Sequence, residues 1–150
     1  MTERAIKVKA MGLFVSPDRR FLASPGYDSV KNQSYLRLLG GHVEFGERAA
    51  EALIREIQEE ISAQCKLLSL LEVIENTFTH EGKPGQEVVF LYGAELTDPS
   101  FYGREKIPMN EDNPDKIAVW TPLADLLEGR VFVYPPANYA AHFAALAPGA

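Results

Sequence analysis

Three glutamates in one predicted helix have the types and spacing to do chemistry. Glu56, Glu59 and Glu60 are spaced i, i+3 and i+4 within Arg48 to Ile61, where apolar residues recur at steps of three and four. This periodicity predicts an amphipathic helix that carries the carboxylates on one face, beside its buried stripe. Like charges repel there, whereas Mg²⁺ prefers oxygen ligands and also binds substrate phosphates. The face is therefore a candidate metal site, and a solvated acidic face is the ordinary alternative.

Residues upstream of this helix favour the metal interpretation. Gly40 and Gly41 allow the backbone to turn sharply or to approach a ligand closely. Glu47 lies just before the helical run, where an acid can cap the helix. The same side chain can instead reach Arg55 and hold the loop against the helix. Arg55 could also form an ordinary i, i+4 pair with Glu59.

Together these residues resemble the signature of the Nudix hydrolases. That signature is Gly, five residues, Glu, seven residues, then Arg-Glu-apolar-any-Glu-Glu-any-Gly-apolar. The matching residues are Gly41, Glu47, Arg55, Glu56, Ile57, Glu59 and Glu60. The six Gly, Glu and Arg matches would arise by chance with odds on the order of one in 10⁵ per chain. One position differs: Ser62 replaces the late Gly, which would cost about 1 kcal/mol if the left-handed conformation persists.

The resemblance implies an α/β fold, a Nudix-type α/β/α sandwich with a mixed β-sheet between helices, in a single domain over residues 1–150. It implies metal-dependent hydrolysis of the diphosphate in a nucleoside diphosphate linked to another group X. By motif position, Mg²⁺ or Mn²⁺ would be held by Glu56, Glu59, Glu60 and the Gly41 carbonyl. Arg55 and Glu47 would be the pair that fixes the loop and orients these carboxylates.

The general base is less closely defined by the motif. Glu56 or Glu59 could accept the proton of the attacking water, but many family members use an acid outside the motif. Glu87 is the first such candidate and Glu111 the second. The alternative for Glu87 is a surface acid at the start of a strand.

Weaker candidates lie outside the motif. His42 could contact phosphate. Phe78, Tyr102 and Trp120 could stack on a base, although a core role is the better interpretation of Trp120. The long polar segment 98–115 is expected to be a loop that shapes specificity.

Two other functions compete with hydrolysis. A regulatory module that senses a nucleotide would be favoured by a missing motif glutamate, and none is missing. An isomerase of prenyl diphosphates would be expected to carry a catalytic Cys before the motif, whereas Cys65 follows it. Subclass markers are absent: Thr79 stands where ADP-ribose-cleaving relatives carry Pro, and His80 and Glu81 stand where dinucleoside polyphosphate hydrolases often carry Tyr. The particular substrate therefore stays open.

The predicted elements around the motif alternate between strands and helices, which indicates a sheet between helices. The strands are predicted at Ile6–Val15, Phe21–Ser24, Tyr35–Leu39, Lys66–Phe78, Glu87–Leu96 and Ile117–Trp120, with a loop at 25–33 and a hairpin loop at 80–85. Besides the acidic helix, helices are predicted at Pro122–Leu127, capped by Thr121, and at Asn138–Leu146.

Composition excludes several classes of protein. The chain has 150 residues, 46% of them hydrophobic, which suits one domain with a core. No apolar run reaches the roughly 18 residues of a membrane span, and a secretory signal is not visible. A single cysteine is consistent with a reducing cytoplasm, and one Cys with three His cannot build a zinc finger. With a net charge of −6 and no basic patch, binding to duplex nucleic acid is not expected, and a homodimer is left open.

Overall fold

The computed structural model describes residues 4–110 and 115–146. The eight strands are β1 (Ile6–Phe14), β2 (Arg20–Asp28), β3 (Gln33–His42), β4 (Cys65–His80), β5 (Lys83–Leu96), β6 (Lys106–Pro108), β7 (Ile117–Pro122) and β8 (Val133–Tyr134). The helices are α1 (Ala49–Ile61), α2 (Leu123–Leu127) and α3 (Tyr139–Leu146), with a 3₁₀ turn at Pro99–Gly103. In these two ranges no helix has the length and hydropathy to cross a membrane. Glu111, the second base candidate, lies outside the described residues.

The strands form one mixed sheet in the order β4-β5-β1-β3-β2-β7-β6, and β8 pairs with β3. The β1–β5 and β3–β8 pairs are parallel, whereas the other pairs are antiparallel. Ala10 belongs to the core cluster that contains Leu53 and Ile57 of α1, while the next residue, Met11, belongs to the cluster that contains Tyr139 of α3. Since successive side chains of a strand point to opposite faces, helices cover both faces of the sheet. The predicted α/β/α sandwich is confirmed.

The apolar run in β5 predicted a strand covered on both faces, and the structure confirms this. Val89 and Leu91 belong to the core under α2 and α3, whereas Tyr92 and Ala94 pack against the core under α1. Such a continuous run is typical of a strand whose two faces are both covered. The strand begins at Lys83, four residues before the predicted start, so Glu87 lies within it.

Helix α1 ends where predicted and begins one residue later, but its rotation was predicted wrongly. Ile54, expected in the buried stripe, is 45% exposed, whereas Ala52 is completely buried and Glu60 is only 7% exposed. The carboxylates therefore do not all lie beside the buried face, because Glu60 lies within it. The rotation is compatible with Gly41, whose missing side chain admits the Glu56 carboxylate against β3.

The C-terminus of α1 adopts the left-handed conformation that a glycine at position 62 would favour. Ser62 has φ 55° and ψ 38°. Its hydroxyl accepts a hydrogen bond from Asn110 Nδ2 at 2.8 Å, and the Asn110 N–H donates to the Glu60 carbonyl at 2.7 Å. These two bonds satisfy the end of the helix and offset the strain of a non-glycine residue.

Two hairpins are longer than predicted. β2 and β3 extend into the expected loop, where Gly26 pairs with Tyr35, and their turn spans only residues 29–32. The β4–β5 loop is reduced to Glu81 and Gly82, which both have positive φ. Two such residues form the tight turn that matches the twist of a hairpin.

Two further boundaries differ from the prediction. The segment 98–115 is not simply a loop, because it contains the 3₁₀ turn and the edge strand β6, whose Ile107 is buried. Thr121 does not cap α2. It lies in β7, where it pairs with Phe21 of β2, and Pro122 occupies the N-cap position of α2. The strand pairing continues further than the local Thr-Pro signal indicates.

Candidate active site

The double glycine brings β1, β3 and α1 into close contact. Gly40 has φ 147°, and a Cβ there would lie 2.1 Å from the Ala10 carbonyl oxygen. A Cβ on Gly41 would lie 2.4 Å from the carboxyl carbon of Glu56. Glycine is therefore required at position 40 by the neighbouring strand, whereas at position 41 a side chain would displace the Glu56 carboxylate. This contact places the Glu56 carboxylate against the β3 backbone.

Arg55 joins the loop before α1 to the acidic face of the helix. Its Nε and Nη2 donate to the two oxygens of Glu47 at 2.7 and 2.9 Å, a bidentate pair. Its Nη1 donates to Glu56 at 3.0 Å and to Glu59 at 3.2 Å, and Nη2 also donates to the His42 carbonyl at 3.0 Å. One guanidinium thus fixes the loop, the end of β3 and two helix carboxylates.

Glu47 is an ion-pair partner and not a helix cap. The cap position belongs to Arg48, whose N–H donates to Glu51 at 3.1 Å. The hydrogen bond from Arg55, followed by one from the backbone of Glu44, lowers the pKa of Glu47 from 4.5 to about 2. Glu47 in turn raises the pKa of Arg55, so the pair stays ionised.

The three helix glutamates differ in their surroundings. The Glu59 side chain is 59% exposed, that of Glu56 is largely covered, and Glu60 is buried. Among the described residues, no group of three His, Cys, Asp or Glu side chains is arranged to hold a metal ion. Glu56 and Glu59 both accept hydrogen bonds from Arg55, whereas Glu60 lies in the buried face of the helix.

The donor groups nevertheless suit a hard divalent cation. They are carboxylate oxygens and a backbone carbonyl, the ligand types that Mg²⁺ and Mn²⁺ prefer. The single charge of Arg55 is outweighed by Glu47, Glu56 and Glu59, so the cluster stays negative. The missing side chain of Gly41 also gives the Glu56 carboxylate its place beside the β3 backbone. The residues therefore fit the implied metal.

Glu87 lies in a separate, buried polar cluster. It is only 6% exposed, so its interpretation as a surface acid is wrong. Its Oε2 lies 2.8 Å from Lys9 Nζ, and its Oε1 accepts a hydrogen bond from Asn76 Nδ2 at 3.2 Å. Lys9 pairs with His42 across β1 and β3, so this cluster begins one strand from the double glycine.

His42 connects the two clusters. Its carbonyl accepts the bond from Arg55, whereas its imidazole lies near cationic side chains. Desolvation, followed by the charges of Lys9, Lys7 and Arg37, lowers the pKa of His42. The cationic side chains around His42, and not a charge on the imidazole itself, are what would attract an anionic group to this position.

The three aromatic candidates separate clearly. Trp120 and Tyr102 pack together with ring centroids 5.2 Å apart, and Trp120 Nε1 donates to the Phe101 carbonyl. These two rings are part of the core. Phe78 instead lines a cavity of about 250 Å³ that also contacts Lys9 and Glu87.

Sequence reasoning missed the other residues of that cavity. Tyr35, Tyr134 and Arg37 line it together with Phe78. They lie in β3 and β8, and β8 is only two residues long. The sequence indicates these positions only weakly. Gly26 is paired with Tyr35 and Gly85 with Phe78, but this pairing is known only once the register of the two hairpins is known.

Comparison with known proteins agrees with the motif. The NUDIX domain family model matches residues 8–140. The fold is similar to the MutT protein from Methanosarcina mazei Go1, with TM-score 0.63 and 16% identity over 97% of this chain and 95% of that one. It is also similar to a MutT NUDIX hydrolase from Burkholderia pseudomallei, with TM-score 0.59 and 21% identity over 94% and 96% of the two chains. A UDP-X diphosphatase matches with TM-score 0.53 and 19% identity, over 83% of this chain and 54% of that chain.

Proposed function

Because the chain belongs to the Nudix family and is a Nudix hydrolase, we propose that it cleaves the diphosphate linkage of a nucleoside diphosphate joined to another group X. The observation that carries the proposal is the Arg55 network, which fixes Glu47, Glu56 and Glu59 beside the glycine turn. A similar fold is found in a UDP-X diphosphatase, a protein whose name describes this kind of linkage. That likeness supports the fold, and the choice of substrate class rests on the motif.

Mg²⁺ or Mn²⁺ is the proposed cofactor. Glu56, Glu59, Glu60 and the Gly41 carbonyl are the groups that would hold it. When bound, such an ion neutralises diphosphate charge and lowers the pKa of a coordinated water. The proposal is supported by the surplus of negative charge around Arg55 and by the contact between Gly41 and Glu56.

Arg55 and Glu47 are proposed as positioning residues. The bidentate pair ties the loop after β3 to the second turn of α1, and the remaining donor of Arg55 orients two carboxylates. Correct placement of reacting groups contributes several kcal/mol to a rate, and an error of about 1 Å can cost 10²-fold. The network therefore acts through the geometry of the helix carboxylates.

For the general base we propose Glu87, with Glu59 as its competitor. Glu59 is the most exposed of the helix carboxylates, so its oxygens are accessible to water. Glu87 is held between Lys9 and Asn76, which fixes its orientation and also gives it a second role as the partner of Lys9. Glu87→Gln should lower kcat by roughly 10²-fold or more if it accepts the proton. If kcat is kept and only KM rises, Glu87 instead holds Lys9 for substrate binding, and Glu59 becomes the base.

The proposal also covers the domain organisation, the location in the cell and the binding partner. The match over residues 8–140 supports a single catalytic domain. We place the enzyme in the cytoplasm, where a reducing environment keeps the buried Cys65 as a thiol, and burial raises its pKa to about 11. A small nucleotide derivative is the proposed partner.

The proposal is tested by incubating the chain with nucleoside triphosphates, oxidised dGTP, ADP-ribose, nucleotide sugars and dinucleotides, each with Mg²⁺, Mn²⁺ or EDTA. We expect one substrate group to be cleaved at the diphosphate with metal and not with EDTA. Glu60→Gln removes a charge while keeping shape and should abolish most of kcat. Glu95→Gln, at an exposed position of β5, is the matched control and should behave like wild type. Binding without cleavage throughout the panel would instead indicate a nucleotide-sensing module.

A further inference from the structure

The side of the sheet that faces α1 is only partly covered by that helix. α1 packs mainly over β3 and β1. Ala10 of β1 belongs to the core under α1, so Val8 and Ile6, which follow the same alternation, point to that side of the sheet as well. Both side chains are exposed. The first half of β1 therefore extends beyond the cover that α1 provides.

The two neighbouring strands continue this uncovered apolar surface. Phe90 of β5 pairs with Ala10 on one side and with Val73 of β4 on the other, and Tyr92 pairs with Leu70 of β4. Paired residues of adjacent strands point to the same side of a sheet. Val73 and Leu70 are each about half exposed. The three strands thus form one surface, here called the open face, which comprises Ile6, Val8, Leu70, Val73, Val88 and Phe90.

A fully exposed phenylalanine stands beside the open face. The Val43 N–H donates to the Val8 carbonyl at 2.9 Å, so the turn after β3 begins next to Val8, and Phe45 follows two residues later. The turn is closed by two hydrogen bonds of 3.0 Å, from the Glu44 N–H to the Glu47 carboxylate and from the Glu47 N–H to the Glu44 carbonyl. Because the turn is already fixed, an interface that buries Phe45 loses little conformational freedom.

Opposite charges lie at two ends of the open face. Arg4 lies two residues before Ile6, at the start of β1, whereas Glu75 of β4 pairs with Val88. Both are exposed, and within residues 4–110 and 115–146 neither forms an ion pair. A two-fold axis that passes between them brings Arg4 of each copy to Glu75 of the partner subunit, since such an axis exchanges the two positions. The open face is therefore complementary to itself in charge.

A lipid surface suits the open face less well than a second copy does. The chain carries a net charge of −6, and membrane surfaces rich in anionic lipids repel an acidic protein. Contiguous apolar surface of this kind is uncommon on monomeric soluble proteins and marks a contact site. A sheet face that is apolar at its centre and oppositely charged at its ends matches another sheet face of the same composition.

We propose that the open face is the contact between two copies of this chain in a symmetric dimer, and that each Phe45 ring is buried against the partner. The two sheets pack face to face in this arrangement, with apolar side chains of β1, β4 and β5 between them. Lys9 and Glu87 alternate with Val8 and Val88, so they point to the opposite side of the sheet. The dimer therefore leaves them accessible, and it does not depend on the proposed catalytic function.

The interface is tested by sedimentation equilibrium of the wild-type chain and of matched variants. The average mass of the wild type should rise from that of a monomer towards that of a dimer between about 1 and 300 µM. Val73→Arg brings two like charges into the interface and should weaken dimerisation at least 10-fold. Val30→Arg changes an exposed valine of the β2–β3 turn and should dimerise like the wild type. Circular dichroism and thermal unfolding of each variant at low concentration show that it is folded.

A second set of variants tests the anchor and the charge pairing. Phe45→Ser should weaken dimerisation at least 10-fold, whereas Phe132→Ser, at another exposed phenylalanine, should leave it unchanged. Arg4→Glu and Glu75→Arg should each weaken the dimer several-fold, because like charges then meet across the two-fold axis, and the double variant should recover it.

Three results would overturn the proposal. The first is a wild-type chain that stays monomeric at 300 µM. The second is a dimer that Val73→Arg and Val30→Arg retain equally, since the contact would then lie elsewhere on the chain. The third is a double variant of Arg4 and Glu75 that dimerises no better than either single variant.

Discussion

Replacing Gly41 by alanine is the most selective perturbation of the proposed metal site. The added Cβ would lie 2.4 Å from the Glu56 carboxyl carbon and 2.6 Å from each carboxylate oxygen, whereas ordinary contact begins at 3.4 Å. The carboxylate must therefore move by about 1 Å, and a displacement of that size can cost roughly 10²-fold in rate. The atoms that move are the end of a flexible side chain, so the free energy of unfolding should change by about 1 kcal/mol or less.

The assay is steady-state hydrolysis of the best substrate over a range of Mg²⁺ concentrations, beside thermal unfolding of each variant. Gly41→Ala should lower kcat/KM by roughly 10²-fold and require more Mg²⁺ for half-maximal rate. Gly103→Ala is the control, because a Cβ there meets no atom within 4 Å. Wild-type activity in Gly41→Ala would refute the role of Glu56, and loss of activity only in proportion to unfolding would refute the catalytic explanation.

Further predictions concern the residues around α1. Arg55→Lys keeps the charge but loses the bidentate fork with Glu47, so kcat should fall by roughly 10²-fold with little change in thermal unfolding; full activity would show that charge alone suffices. Because the folded pKa of Glu47 is depressed from 4.5 to about 2, its contribution to stability is present above pH 4.5 and lost as pH falls through about 2. Carbon NMR of that carboxyl should give a midpoint near 2, and a midpoint near 4.5 would contradict the ion pair. Ser62→Gly relieves the left-handed strain but loses the bond from Asn110, so chemical denaturation should show a change within about 1 kcal/mol; a loss above 2 kcal/mol would make the serine bond essential.

The position and length of helix α1 were predicted well from the sequence, because the pattern that indicates a helix is local. The spacing of Arg55 and the three glutamates placed them on one helix, and the glycine turn was recognised before it. The rotation of the helix was not predictable in this way. Ile54 is as apolar as the buried Ile57, and which of the two turns inward is set by the packing of the whole helix on the sheet, including the contact between Gly41 and Glu56.

The cavity lined by Tyr35, Phe78 and Tyr134 was the part that local patterns could not predict. Tyr35 was assigned to a short strand and Tyr134 to no element, and the two rings meet only when β8 pairs with β3. The burial of Glu87 depends likewise on Lys9, which is distant in sequence. Such contacts are set by the register of paired strands, which residue types along one strand do not specify.

The metal site is tested most directly by measuring the affinity of the chain for Mn²⁺ in the absence of substrate. The electron paramagnetic resonance signal of Mn²⁺ reports how much of the ion is bound. Wild type and Glu95→Gln should bind the ion with equal affinity, and Glu60→Gln should bind at least 10-fold more weakly, since a carboxylate ligand is lost. The site would be contradicted if Glu60→Gln bound Mn²⁺ as tightly as Glu95→Gln, or if the wild-type chain bound none at millimolar concentration.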